Sequence, residues 1–132
     1  MKNPYAIYQH NTIESLPPAQ ITLLLYNKTL QCLDTAQQAF SNSLSVRDHE
    51  IIHNNLTRAY NILCELQRSL NFDQAPQLAH ALYGNYKYAI QQVLQANQKK
   101  VAEPIKHAYR VISEIRDAWQ TMLKEQNGKT VK

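Results

Sequence analysis

Glycine and proline are scarce in this chain of 132 residues, at two and five respectively. So few breakers exclude collagen-like and low-complexity character and leave long stretches free to be helical. Cysteine is nearly absent, and Cys32 and Cys64 form neither a CxxC pair nor a zinc-ligand spacing. No apolar run approaches the roughly 18 residues of a membrane span. The start, Met1-Lys2-Asn3-Pro4-Tyr5, lacks the apolar core of a signal peptide, so a cytoplasmic location and no membrane insertion are expected. An excess of one charge sign is also missing. The chain carries 14 basic and 10 acidic residues, a net +4, and Lys99-Lys100 is the only basic doublet. A nucleic-acid groove asks for a denser patch, so no nucleic-acid partner is expected.

What is present suits a single helical domain. Hydrophobic residues make up 44% of the chain, the globular norm. A domain of this size buries about two-thirds of the surface its unfolded chain exposes, so it needs no metal or disulfide to fold. Breaks near 41–45, 71–76 and 97–100 separate stretches with a helical period. Ile52, Leu56, Ala59, Leu63, Leu66 and Leu70 alternate steps of four and three residues, as do Val101, Ile105, Ala108, Ile112, Ile115, Trp119 and Met122. The spacing predicts helices over about 18–42, 48–70, 76–96 and 103–126. Pro18 and Pro104 suit first turns, where the missing N–H costs nothing. Asp48 and Asp73 suit caps or first-turn acids. Short linkers then give an all-α, antiparallel up-down four-helix bundle over 18–126. An extended segment over 1–17 packs on it, and 127–132 forms a disordered tail.

Two features exceed what a bundle needs. The first helix carries Ile21, Leu25, Cys32, Ala36 and Phe40, and a second stripe of Leu23, Tyr26, Leu30, Leu33 and Leu44. The third carries Leu78, Leu82, Ala89, Val93 and Ala96 beside a stripe of Ala79, Tyr83, Tyr86, Ile90 and Leu94. A second stripe must be covered by something. The leader, with Tyr5, Ile7, Tyr8, Ile13 and Leu16, is apolar without a helical period and reads as an extended cover. Eight tyrosines against two phenylalanines and one tryptophan suit surfaces that are sometimes covered, because the ring takes apolar contact and the hydroxyl takes water. Gly84 within the third helix costs about 1 kcal/mol relative to Ala; a close helix approach would account for it, and so would ordinary drift.

No catalytic constellation survives scrutiny, and none points to a cofactor. His49-Glu50-Ile51-Ile52-His53 spells HExxH, which on a helix puts two imidazoles on one face beside a general base. No third ligand follows at a protease spacing, and no substrate strand is predicted. Glu50 and His53 are half of a di-iron carboxylate site, but Glu103 and His107 are four residues apart rather than three. The two cysteines read as small buried thiols, and Trp119 as core. Gly-rich phosphate loops and GxSxG are absent from the sequence. The chain reads as a non-enzyme and an interaction module that takes an amphipathic segment in a groove. A basic helical module binding nucleic acid or a regulator is the competing reading, and it predicts affinity that falls steeply with salt.

The residues resemble the flagellin export chaperones, the FliS family. Asn3-Pro4-Tyr5-Ala6-Ile7-Tyr8-Gln9 is similar to that family's N-terminal tyrosine segment, and Pro18, Ile21 and Leu24-Leu25-Tyr26-Asn27 to its first-helix start. Ile62-Leu63, Glu65-Leu66, Tyr86-x-Tyr88, Ala96-Asn97 and Arg116-Asp117-Ala118-Trp119 follow in register. The resemblance implies a chaperone in the bacterial cytosol that binds the disordered C-terminal segment of flagellin. It would block premature polymerisation and deliver flagellin to the flagellar type III export apparatus, with the export gate and a co-chaperone as further partners. Tyr26, Leu82, Tyr83, Tyr86 and Ile90 would line the groove, with Asn97 satisfying backbone groups at the end of the third helix. Tyr5, Ile7, Tyr8 and Ile13 would form the displaceable cover. An open apolar groove pairs readily with itself, so a weak homodimer without ligand is expected. The chain departs from the family pattern at Pro17, Lys28, Gly84, Lys87 and Ala89, which bear on the choice of partner more than on the fold.

Overall fold

The computed structural model describes residues 18–131, with side chains through residue 126, and helix forms wherever the sequence is free of breakers. Four helices follow in order: α1 (Pro18–Phe40), α2 (Val46–Arg68), α3 (Pro76–Lys99) and α4 (Glu103–Val131). Successive helices pack on one another, and α4 returns to close the ring against α1. The result is the expected all-α, up-down bundle, with no strand among the described residues. The extended segment 1–17 lies outside them.

The chain ends of the helices are set by local chemistry. Ser45 caps α2: its hydroxyl accepts from the Asp48 N–H, and the Asp48 carboxylate accepts from the Ser45 N–H at 3.0 Å. This reciprocal capping box starts α2 at Val46, two residues before the sequence places it. Asn42 also donates to Asp48 at 3.0 Å. The Ser45 hydroxyl lies 2.9 Å from the same carboxylate, and hydrogen bonds from the Asn42 side chain foremost, then from the Ser45 backbone and side chain, hold the Asp48 carboxyl below its usual range. Asp73 does not cap α3. The N-cap is Ala75, which has no side-chain bond, and Pro76 opens the helix. The Asn71 side chain instead accepts from the Asp73 and Gln74 N–H groups, closing the turn on itself. Lys100 ends α3 in the left-handed region with φ 54°. At the other end of the chain, α4 runs on to Val131, over residues the sequence assigns to a tail. Lys124, Glu125 and Gln126 favour helix, and the single Gly128 costs only about 1 kcal/mol.

The core takes more of the apolar surface than a one-stripe reading allows. Ile52, Leu56, Ala59, Leu63, Ile105, Ala108 and Ile112 are all buried, as their period requires. On α1, however, Tyr26, Leu30 and Leu33 from the second stripe are buried as well. A helix in a closed four-membered ring faces two neighbours, so its apolar arc spans both contacts. On α3 the division is different. Ala79 and Tyr86 are buried, while Tyr83 and Leu94 stay 42% and 39% exposed. Gly84 marks no close approach: a Cβ there would meet nothing within 4 Å.

Candidate functional site

Three aromatic side chains from three helices meet near one end of the bundle. Tyr26 on α1 and Tyr86 on α3 are fully buried, and their hydroxyl oxygens lie 2.6 Å apart. Trp119 on α4 sets its ring edge-on to Tyr26, with centroids 5.8 Å apart at 88°. The geometry is the favourable T-shaped one. The Trp119 indole N–H donates to the Ala19 carbonyl at 2.8 Å, so it ties α4 to the first turn of α1 while its ring packs inward. One turn earlier on α4, Arg116 donates to Asn27 at 2.7 Å. The Leu25-Tyr26-Asn27 and Arg116–Trp119 motifs, far apart in sequence, therefore form one contact.

Desolvation pushes the Tyr26 phenol far above its usual range, with the neighbouring Tyr86 and the hydrogen bond to it adding to the effect. Desolvation raises Tyr86 as well, while the hydrogen bond with Tyr26 pulls the other way. Either hydroxyl can be the donor. Neither ionises near neutral pH, so the pair is a neutral polar element in an apolar core.

Above this cluster opens a cavity of about 360 Å³. Its walls come from the start of α1 (Pro18, Ala19, Thr22), the end of α2 (Leu66, Ser69, Leu70), the following turn (Asn71, Gln74, Ala75) and the start of α3 (Leu78, Ala79, Leu82). Tyr86 and Trp119 also line it. No lining residue is charged. The hydroxyls of Thr22 and Ser69 donate to carbonyls of their own helices, Pro18 and Leu66. The volume lies at the small end of ligand sites and admits one or two apolar side chains of a larger partner. A second cavity, of about 410 Å³, lies between α1 and α4 against Leu33, Ile105 and Tyr109. It contains none of the residues expected to line the groove.

The structure divides the expected groove residues. Leu82 and Tyr86 line the cavity and Tyr26 lies behind Tyr86. Tyr83 is exposed beside Phe72, with centroids 6.2 Å apart, and Phe72 also stacks edge-wise on His80 at 4.8 Å. Ile90 is partly buried against the core. Asn97 sits near the opposite end of α3 and meets side chains rather than backbone groups: its amide nitrogen is 3.3 Å from His53 Nδ1, and its oxygen accepts from Lys100 Nζ at 2.6 Å. The cover residues Tyr5, Ile7, Tyr8 and Ile13 lie outside the described residues. Leu66, Leu70, Leu78 and Trp119 are cavity residues that the sequence reading placed in core stripes. Periodicity gives a residue's face on its helix, not whether neighbouring helices close over it.

Neither decoy in the sequence gains support. His49, Glu50 and His53 are exposed, and among the described residues no group of three or more His, Cys, Asp or Glu is placed to hold a metal. Cys32 is buried and Cys64 partly so, both as free thiols. Burial pushes the Cys32 thiol up, against smaller opposing effects of Arg58 and Lys28. A thiol so placed is less nucleophilic, not more. No described helix is long and apolar enough to cross a membrane.

Comparison with known proteins agrees with the motifs. A model of the family "Flagellar protein FliS" matches residues 1–126. The flagellar secretion chaperone FliS of Bacillus subtilis is 31% identical over 126 residues, which cover 96% of this chain and 90% of that protein. A solved structure, the crystal structure of a flagellar chaperone from bacteria, superposes with a TM-score of 0.73. It covers 92% of this chain and 95% of its own, and at 18% identity it speaks for the fold. The family match over nearly the whole chain, together with the joined Tyr26–Asn27 and Arg116–Trp119 motifs, leads to one conclusion: this chain belongs to the FliS family of flagellar secretion chaperones.

Proposed function

We propose that the protein binds the C-terminal segment of flagellin in the bacterial cytoplasm, keeps it from polymerising and delivers it to the flagellar export apparatus. The observation that carries this reading is the uncharged cavity between the starts of α1 and α3 and the end of α2, continued along α3 by exposed apolar residues. Leu78, Tyr83, Tyr88 and Leu94 are 39–48% exposed on that one helix. Tyr83 and Leu94 lie on one side of α3 with the partly buried Ile90 between them and form a short apolar strip there, whereas Leu78 and Tyr88 project from other sides of the helix. A disordered segment that folds on binding loses about 2–5 kcal/mol of its gross interaction energy to ordering, so it needs such a track in addition to a cavity. The leader joins the bundle at Pro18, on the cavity wall. Tyr5, Ile7, Tyr8 and Ile13 are then within easy reach as a cover that the segment displaces.

Titration calorimetry against a peptide of the C-terminal segment of the host's flagellin, with circular dichroism on the same mixture, tests the proposal. One-to-one binding with a gain of helix is the expected result. No binding at micromolar concentrations would remove this reading.

A further inference from the structure

Lys87 is the only Lys, Arg, Asp or Glu in α3 before Lys99, and the helix has no acid at all. Its place in the helix is regular. Tyr83, Lys87, Ile90 and Leu94 step by four, three and four residues, the a/d spacing of a helix that receives a second helix along its side. Tyr83, Lys87 and Leu94 are exposed, and Ile90 is partly buried. Beside this strip runs α2. His53 meets Asn97 there through their side chains, and a step of seven residues along each antiparallel helix brings Tyr60 opposite Ile90. Both pack partly buried against the core. Tyr60 and Ile90 form an apolar floor, with Tyr83, Lys87 and Leu94 along its rim.

Lys87 has no hydrogen-bond or ion-pair partner among the described residues. The facing helix offers it no carboxylate. Asp48 and Glu50 lie near the start of α2, at the other end of the strip, and Glu65 is held by Arg68 at 2.7 Å.

We infer, resting on the chaperone reading, that Lys87 is the specificity-determining residue of this strip: its ammonium pairs with one Asp or Glu of the bound segment and so fixes the register in which that segment lies there as a helix. A helix laid over the strip takes water from the ammonium, which is costly unless an opposite charge replaces it. A single polar residue in the seam of a helix pair favours the register that satisfies it. No other charge lies along α3 before Lys99, so selection by charge falls to Lys87 alone. The same lysine disfavours a second copy of this chain as the occupant. Two copies of the acid-free strip laid antiparallel bring one lysine within a turn of the other, and like charges across an interface repel.

Lys87→Gln removes the charge and Lys87→Glu reverses it. The side chain is exposed, so both full-length variants should melt with the natural chain. Calorimetry then follows two titrants. The first is the flagellin C-terminal peptide, natural and with each of its acids replaced singly by Lys. Lys87→Gln should weaken the natural peptide about three- to tenfold and Lys87→Glu should weaken it further. One Lys-substituted peptide alone should regain affinity with Lys87→Glu. The second titrant is a designed helix of three heptads with Leu at a and d and either Glu or Lys at one central a position. The natural chain should prefer the Glu helix, and Lys87→Glu the Lys helix.

Equal affinity of all three proteins for the natural flagellin peptide overturns the inference and leaves the chaperone reading intact. A loss in Lys87→Glu that no Lys-substituted peptide repairs also overturns it, because the charge then acts without a paired acid. The expected charge preference for the designed helices, with no binding of the flagellin peptide, upholds Lys87 as the selecting residue and removes the flagellin reading. Binding of neither titrant overturns both.

Discussion

The Tyr26 and Tyr86 hydroxyls meet at 2.6 Å across the diagonal of the bundle, joining α1 to α3, two helices that are not neighbours in its ring. The contact crosses the core 60 residues apart in sequence and has no substitute, since each phenol has the other as its sole described partner. Tyr26→Phe or Tyr86→Phe alone leaves one buried hydroxyl unpaired and should lower stability by about 1–3 kcal/mol. The double Phe variant should lose less than the sum of the two, because no unpaired group remains. Urea denaturation of the four proteins measures this coupling, and strict additivity would show that the two hydroxyls do not interact.

The α2 capping box predicts a pH dependence. The Asp48 carboxyl is held below its usual range in the folded state by Asn42 and Ser45. A depressed carboxyl adds stability above the unfolded value of about 3.9 and loses it as pH falls through the folded value. The loss therefore falls below about pH 4. Urea midpoints followed down through this range should decline less steeply for Asp48→Asn than for the natural chain. Ser45→Ala, which removes the cap itself, should cost about 1 kcal/mol at neutral pH.

Gly84 offers the opposite sign. It sits within α3, has no positive φ, and an added Cβ meets open space. Gly84→Ala should raise stability by about 0.5–1 kcal/mol through helix propensity and a less flexible unfolded chain. A melt that shows no gain would mean that Gly84 adopts a strained conformation in solution.

Exposure separates binding residues from structural ones along α3. Tyr83→Ala and Leu94→Ala change exposed side chains and should alter stability by no more than about 0.5 kcal/mol, yet weaken the flagellin peptide. Tyr86→Ala is different. Its ring is buried, so truncation should cost about 3–5 kcal/mol and confuse lost binding with lost fold. Calorimetry of the Tyr83 and Leu94 variants, with melts alongside, distinguishes the two roles; weakened folding without weakened binding would place the track elsewhere.

The sequence by itself determined the four helices and their order. Stripes with a step of three and four, prolines at first turns and few glycines each act within a helix or at its ends, where a residue's neighbours in sequence are its neighbours in space. The Arg116–Trp119 and Leu25–Asn27 motifs were likewise legible as patterns. What they do to one another was decided by tertiary structure alone, because Arg116 reaches Asn27 across 89 positions and Trp119 reaches Ala19 across 100. The same holds for the site. Tyr26, Leu82 and Tyr86 were legible as apolar-face residues, but only closure of the ring buries Tyr26 and Tyr86, leaves Tyr83 outside and opens a cavity over Leu66, Leu70 and Leu78. Periodicity fixes the direction of a side chain about its own axis. How far the neighbouring helices splay at their ends, and hence whether that side chain meets protein or space, depends on the packing of all four at once.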